Sequence, residues 1–402
     1  MKTSPTVDTA ADAPVAIDDV ADLGDLNATS GLTGLAAPAE APWGMTDERA
    51  SLDTMLIALI ACKGSDLHLT VGAPPSIRIH GALATLPDYD RMKPRDTQAL
   101  LKAAATPDQW RQFEATHELD FAYSIAGLSR FRVNVYSQRG SCAAVFRAIP
   151  HFIKPLEDLG VPDSVAKFAH LHRGLVLVTG PTGSGKTTTL ASLVDLANRT
   201  RSAHIVTIED PIEFLHEHKR SLVNQREVGA DTGSFSTALK HALRQDPDII
   251  LVGELRDLET TATALTAAET GHLVLATLHT QSASQTVNRI IDIFPSHQQS
   301  QVRSQLSTAL QGVVTQALAP RADGTGRAVV TEVMLGTPAI RNLIREGKTH
   351  QISSFMQAGG GDGMLAFDQH LAERVHNQIV SFEQALEICH SPEEFKRLAR
   401  RG

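Results

Sequence analysis

The sequence predicts an α/β chain in which a small α+β unit precedes a parallel-sheet unit that continues into a mainly helical C-terminal region. Two observations carry this. Four short apolar runs, at 175–178, 205–208, 249–252 and 273–276, are continuous rather than alternating, as in strands buried on both faces of a parallel sheet. Before residue 150, by contrast, the apolar residues alternate, as in half-buried antiparallel strands.

Residues 1–45 carry seven acids against Lys2, and Trp43 is their only aromatic. Such a segment cannot bury enough apolar surface to offset its ordering entropy, so a disordered acidic tail is expected there. The first unit, 46–150, opens with a helix over 51–62, where Leu52, Met55, Leu56, Leu59 and Ile60 share a face. Leu67, Leu69 and Val71 then alternate, as do Ile77 and Ile79 beyond the Pro74-Pro75 turn, which reads as paired strands. A helix is expected around 95–114, then strands at 119–125, 130–136 and 142–148. Residues 151–163, with Pro155 and Pro162, read as a linker.

From 164 to 402 the continuous runs alternate with helical stretches, and after about 300 the expectation is mainly helix. Gly359 to Gly363 reads as a joint, and Ser391-Pro392 as a helix start with a capping serine. The chain ends basic, with Lys396, Arg397, Arg400 and Arg401.

The bulk numbers narrow the function. Of 402 residues, 42% are hydrophobic and 20% charged, which suits a sizeable core. No apolar run is long enough to span a bilayer, and no signal peptide is visible. Cys62, Cys142 and Cys389 are far apart, which suggests neither disulfides nor a zinc site and fits a reducing cytoplasm. The net charge of −8 argues against a protein that coats nucleic acid.

Each continuous run ends at once in polar residues or glycine: Gly180 onward, Glu209-Asp210, Gly253-Glu254, and Thr277 with His279. Ligands of open α/β sheets bind beyond the carboxyl ends of the strands, so four separate segments point to one edge. The first of them is GPTGSGKT at 180–187, a complete phosphate-binding loop between a strand and a helix. Its residues Gly180, Pro181, Thr182, Gly183, Ser184, Gly185, Lys186, Thr187 and Thr188 are expected to cradle ATP. Backbone N–H groups would wrap the phosphates, Lys186 would supply charge to the β- and γ-phosphates, and the Thr187 hydroxyl would ligate Mg²⁺.

In DPDIILVGE at 246–254 the strand-end aspartate usual for such sites is replaced by Gly253, and the carboxylate follows as Glu254. Glu254 is the candidate to polarise the attacking water and to hold Mg²⁺ through water; the alternative is a surface glutamate paired with Arg256. Glu209, Asp210 and Glu213 cluster at another strand end and suit a magnesium–water site. His279 is read as a γ-phosphate sensor. His272, at the opposite end of its strand, is left undecided. Arg130, Arg132, Arg139 and Arg147 fall close together in the first unit. They are read as nucleic-acid contacts, as arginines donated across a subunit boundary, or as solvated charge.

GPTGSGKT, TIEDPIEF, DPDIILVGELRD and TGHLVLATLHT occur in the order and spacing of the secretion ATPases of the type II and type IV pilus class. SDLHLTVGAPPSIRIHG at 65–81, SRFRVNVYSQRG at 129–140 and AIRNLIRE at 339–346 resemble the pilus-retraction branch. The resemblance covers roughly 50–402. It implies a PAS-like N-terminal domain, a RecA-like P-loop NTPase domain and a ring-shaped homohexamer. The implied activity is Mg²⁺-dependent ATP hydrolysis that powers pilus retraction and twitching motility. The implied partner is the inner-membrane platform protein of the pilus, with a paralogous retraction ATPase as a possible further one, no nucleic acid, and peripheral association at the cytoplasmic face of the inner membrane. On that pattern Arg132 and Arg147 match the arginines that reach a nucleotide from the first domain. The competing readings are an accessory retraction ATPase, a pilus-extension or secretion motor, a DNA motor and a regulatory nucleotide-binding protein. Extension motors usually carry a four-cysteine metal site, which this chain lacks.

Overall fold

The computed structural model describes residues 47–400 apart from 80, 88, 151 and 359–362; the expected acidic tail and most of the glycine joint lie outside the described residues. The chain divides between Ala148 and Ile149 into two compact units.

The first unit begins with α1 (Asp47–Ala61) and builds one six-stranded sheet. Its strands are β1 (Asp66–Leu69), β2 (Ser76–Ile79), β3 (Ala82–Thr85), β4 (Glu118–Ile125), β5 (Ser129–Gln138) and β6 (Ser141–Ile149), in the order β3-β2-β1-β6-β5-β4. The helix expected over 95–114 is two, α2 (Pro94–Ala104) and α3 (Pro107–Thr116). The break is local chemistry. Thr106 caps α3, its hydroxyl accepting from Gln109 N while the Gln109 side chain accepts from Thr106 N, with Pro107 at the first helical position. Leu52, Leu56 and Leu59 of α1 and Phe131 and Val133 of β5 share the core.

The second unit is built on a seven-stranded sheet. In chain order its elements are β7 (Gly174–Thr179), α4 (Lys186–Thr200), β8 (His204–Glu209), β9 (Leu222–Glu227), α5 (Phe235–Ala242), β10 (Ile249–Val252), α6 (Leu258–Glu269), β11 (Leu273–Leu278), α7 (Ala283–Asp292), α8 (Gln299–Ala309), β12 (Leu310–Pro320) and β13 (Arg327–Leu335). Then follow α9 (Pro338–Arg345), α10 (Ile352–Ala358), α11 (Phe367–His376), α12 (Phe382–Ile388) and α13 (Pro392–Ala399). The strand order is β13-β12-β7-β11-β10-β8-β9. Every pairing is parallel except β12 with β13. Alternate residues serve opposite faces: Leu175, Leu177, Val206 and Ile208 enter one core, Val176, Val178, Ile205 and Leu275 the other. Both faces are covered, which is why the four runs read as continuously apolar.

Two expectations need correction and a third an addition. The region after 300 is mainly helical, with α8 to α13, but β12 and β13 add a long antiparallel hairpin on the edge of the sheet. Its Val313, Val314, Thr315, Val329, Val330, Thr331 and Val333 are β-branched and pack well on a pleated surface. The segment 151–163 is not a free linker. Leu156 is buried with Val165 and Phe168 in the core of the second unit, and the Ser192 hydroxyl donates to Lys154 O at 2.6 Å. Ser391 precedes α13, but its side chain makes no cap bond; Asp368 instead accepts from the backbone N–H groups of His390 and Ser391.

Candidate nucleotide site

The carboxyl ends of β7, β8, β10 and β11 open on a cavity of about 630 Å³. Thr182, Gly183, Gly185, Lys186, Thr187 and Thr188 line it from the loop between β7 and α4. Glu209, Asp210 and Glu213 line it from the end of β8, Glu254 and Arg256 from beyond β10, and Thr277 and His279 from the end of β11. The four segments singled out in the sequence therefore do meet at one place.

The loop's shape follows from its glycines. Gly180, Gly183 and Gly185 have φ of 140°, 79° and 86°, a region that side chains rarely enter. At Gly180 space is also exhausted: an added Cβ would lie 2.2 Å from Gln316 O. Lys186 is nearly buried and its ammonium donates to Gly180 O at 2.9 Å and Pro181 O at 3.0 Å. Burial holds its pKa below the usual lysine value, against the opposing charges of Glu254 and Glu213. Gly180, Pro181 and Ser184 do not line the cavity; they shape the loop around it.

Glu254 is mostly buried and has two partners, Arg256 Nη2 at 2.8 Å and His279 Nε2 at 3.2 Å. Burial disfavours its ionised form, but Arg256 and His279 outweigh it and hold the carboxyl below its usual range. Pairing with Arg256 and placement in the site, set against each other in the sequence, are both present. His279 lines the cavity and touches Glu254. His272 lies at the far end of β11, with Nδ1 3.1 Å from Ala267 O, away from the cavity.

Glu209 is 8% exposed. Its carboxylate accepts from the Thr207 hydroxyl at 2.6 Å and the Gln225 amide at 3.1 Å. Burial nevertheless raises its pKa above the normal glutamate value, since neutral donors compensate a buried charge only in part. Asp210, beside it, is exposed. Gln225 is on β9, an element the sequence reading did not separate.

Arg132 and Arg147 belong to the first unit, where with Asp66, His68, Arg78 and Asp120 they line a second cavity, of about 530 Å³, on that unit's sheet. Arg147 Nε is 2.8 Å from Asp66 Oδ1, while Arg132 is exposed.

A glycine-rich loop joining a buried strand to a helix, with a lysine, a hydroxyl and strand-end carboxylates on one edge of a parallel sheet, defines a P-loop nucleoside triphosphatase of RecA-like fold. A family model, the type II/IV secretion system protein, matches residues 130–325. The type IV pilus retraction ATPase PilT of Pseudomonas aeruginosa is 50% identical over 85% of this chain and 99% of its own. The type IV pilus ATPase PilU of the same organism is 40% identical over 87% of this chain and 91% of its own. A crystal structure of the pilus retraction motor PilT with bound ADP superposes with a TM-score of 0.80 at 48% identity, covering 85% of this chain and 98% of that one. The chain belongs to the type II/IV secretion ATPase family, on its pilus-retraction branch, and is an ATPase with a RecA-like domain behind a PAS-like N-terminal domain.

Proposed function

We infer that the chain is the motor of type IV pilus retraction, hydrolysing ATP in the cavity at 180–188. The observation that carries this reading is the convergence of the complete phosphate loop with Glu254 and His279 on one cavity, in a chain 50% identical to a retraction ATPase along almost its full length. Identity to the type IV pilus ATPase PilU is lower, at 40%, so the accessory role is the second reading.

In the proposed reaction the phosphates take the place of the Gly180 and Pro181 carbonyls at Lys186 Nζ. The ionised Glu254, fixed by Arg256 and His279, orients the attacking water and accepts its proton. His279, half-exposed into the cavity, is placed to sense the γ-phosphate. Mg²⁺ fits the donor set. The Thr187 hydroxyl and the carboxylates of Glu209, Asp210 and Glu254 are hard oxygen donors on one cavity, and the raised pKa of Glu209 marks a buried carboxylate that a cation would relieve. Among the described residues no group of three or more His, Cys, Asp or Glu could hold a metal alone. Mg²⁺ is commonly held by one or two carboxylates together with substrate phosphates, so Thr187 would ligate it directly and the carboxylates through water. When bound, the ion would neutralise charge developing on the phosphates.

The working assembly proposed is a homohexamer, with Arg132 and Arg147 reaching a nucleotide across a subunit boundary. It acts on the inner-membrane platform protein of the pilus, with a paralogous ATPase as a further partner, from the cytoplasmic face. Among the described residues no helix is long and apolar enough to cross a membrane, which fits peripheral attachment. The test is to replace the gene with Lys186→Ala and count surface pili. A retraction motor leaves cells with excess pili that do not retract. Cells without pili would instead assign the chain to extension, and normal retraction would refute the motor role.

A further inference from the structure

The phosphate loop rests on β12, and one side chain of that strand holds it. Gln316 is 1% exposed, and its Nε2 donates to Ser184 O at 2.7 Å. The bond joins residues 132 positions apart in the sequence. The Ser184–Gly185 peptide is trans, since the single cis bond among the described residues is Asp210-Pro211. In a trans peptide the C=O and the following N–H point in opposite directions. With Ser184 O drawn outward to β12, the Gly185 N–H is turned the other way, and Gly185 lines the cavity. Gly185 has φ of 86°, so the loop changes hand at this peptide, and successive N–H groups of such a turn make an anion-binding concavity.

Two further atoms show that the contact is not ordinary packing. Gln316 Oε1 and Ser184 Oγ are both buried with no hydrogen-bond partner among the described residues. Buried polar groups in that state cost free energy, and a core position with no task beyond packing would be served better by an apolar residue. The Thr315 and Thr179 hydroxyls, 2.9 Å apart, link β12 to the last residue of β7, immediately before the loop. β12 is therefore tied to the loop at its start and near its end.

We propose that Gln316 is a positioning residue for nucleotide binding: its amide holds the Ser184–Gly185 peptide so that the Gly185 N–H faces the phosphates. This rests on the nucleotide-site reading above. Gln316 touches no reacting atom; it acts through the loop.

The test is ADP affinity, by calorimetry on the full chain, with thermal midpoints recorded without ligand. Gln316→Met keeps length and apolar volume and removes the donor. Its Kd for ADP is expected to rise about tenfold, because the released Ser184–Gly185 peptide relaxes in the free protein and must be turned back on binding, at about the worth of one hydrogen bond. The ligand-free midpoint falls by no more than a few degrees, the lost Ser184 O partner being offset by removal of the unpartnered Gln316 Oε1. Gln316→Glu adds a readout that loss of packing does not move. Ionised, it has no donor; protonated, it can donate to Ser184 O. Its deficit relative to wild type is expected to shrink as pH falls. Wild-type ADP affinity in a folded Gln316→Met would overturn the proposal. So would a loss that merely tracks unfolding in both variants, or a Gln316→Glu deficit that does not change with pH. Failure of the wild-type protein to bind ADP would refute the nucleotide site itself, a distinct result.

Discussion

Glu254 has its two oxygens occupied from two directions, by Arg256 from its own loop and by His279 from the next strand. The pair fixes the carboxylate and keeps it charged, so it is ready to orient the water and to take its proton as the new bond forms. Glu254→Gln preserves the shape and one acceptor oxygen while removing the charge. It is expected to bind nucleotide near the wild-type affinity and to turn it over at least a hundredfold more slowly, about the lower contribution of a positioned acid–base group. Binding and single-turnover rates on the same preparation check this. A loss of binding with no selective loss of turnover would make Glu254 structural. Such a variant also separates Glu254 from Lys186, whose charge is needed by the bound phosphates in both ground and transition states.

At the scale of elements, α9 carries AIRNLIRE. Ile340, Leu343 and Ile344 are buried at helical spacing, and Arg341 is not free for a partner. Its Nε donates to Gly336 O at 2.7 Å and its Nη2 to Gln311 Oε1 at 3.1 Å, tying α9 to β12 and to the residue that follows β13. Glu346 pairs with Lys348 at 2.8 Å, and Arg345 is the exposed arginine of this helix. The two arginines therefore part. Arg341→Ala should lower the thermal midpoint by a few degrees, because it leaves Gly336 O and Gln311 without their donor, at about 1 kcal/mol or more. Arg345→Ala should leave stability and ATP turnover near wild type yet stop retraction in cells, if α9 couples hydrolysis to work. Wild-type retraction by Arg345→Ala would remove α9 from the coupling. What the sequence showed and hid follows the same logic. The four core strands and the loop at 180–187 were legible because their signals are local: continuous apolar runs, glycines and a lysine at fixed spacing. The tie from Arg341 to Gln311 and the contact from Gln316 to Ser184 were not, because each depends on a partner distant in the chain; the hairpin at 310–335 is local, its two β-branched strands joined by 321–326, and was within reach of the sequence. The break at Thr106 was legible, since Thr-Pro followed by Gln109 is a cap signature, but the longer helical pattern was read across it.

For the whole molecule, the two units carry different parts of the proposed chemistry. The loop, Glu254 and His279 lie in the second unit, whereas Arg132 and Arg147 sit on the sheet of the first. Arg147 is engaged with Asp66 and Arg132 is exposed, so donation to a nucleotide would draw Arg147 from a carboxylate that is itself buried, at a cost above that of a surface ion pair. A ring in which one subunit's first unit completes its neighbour's site makes hydrolysis depend on assembly. The most direct test is steady-state ATP turnover by the purified chain, by Lys186→Ala, by an Arg132→Ala, Arg147→Ala double variant, and by the two variants mixed. The account predicts turnover by the wild type, near-complete loss in each variant with the fold intact, and partial recovery on mixing, where intact arginines meet intact phosphate loops. Wild-type turnover by Lys186→Ala would contradict the account at its centre, and no recovery in rings shown to be mixed would remove the shared site from it.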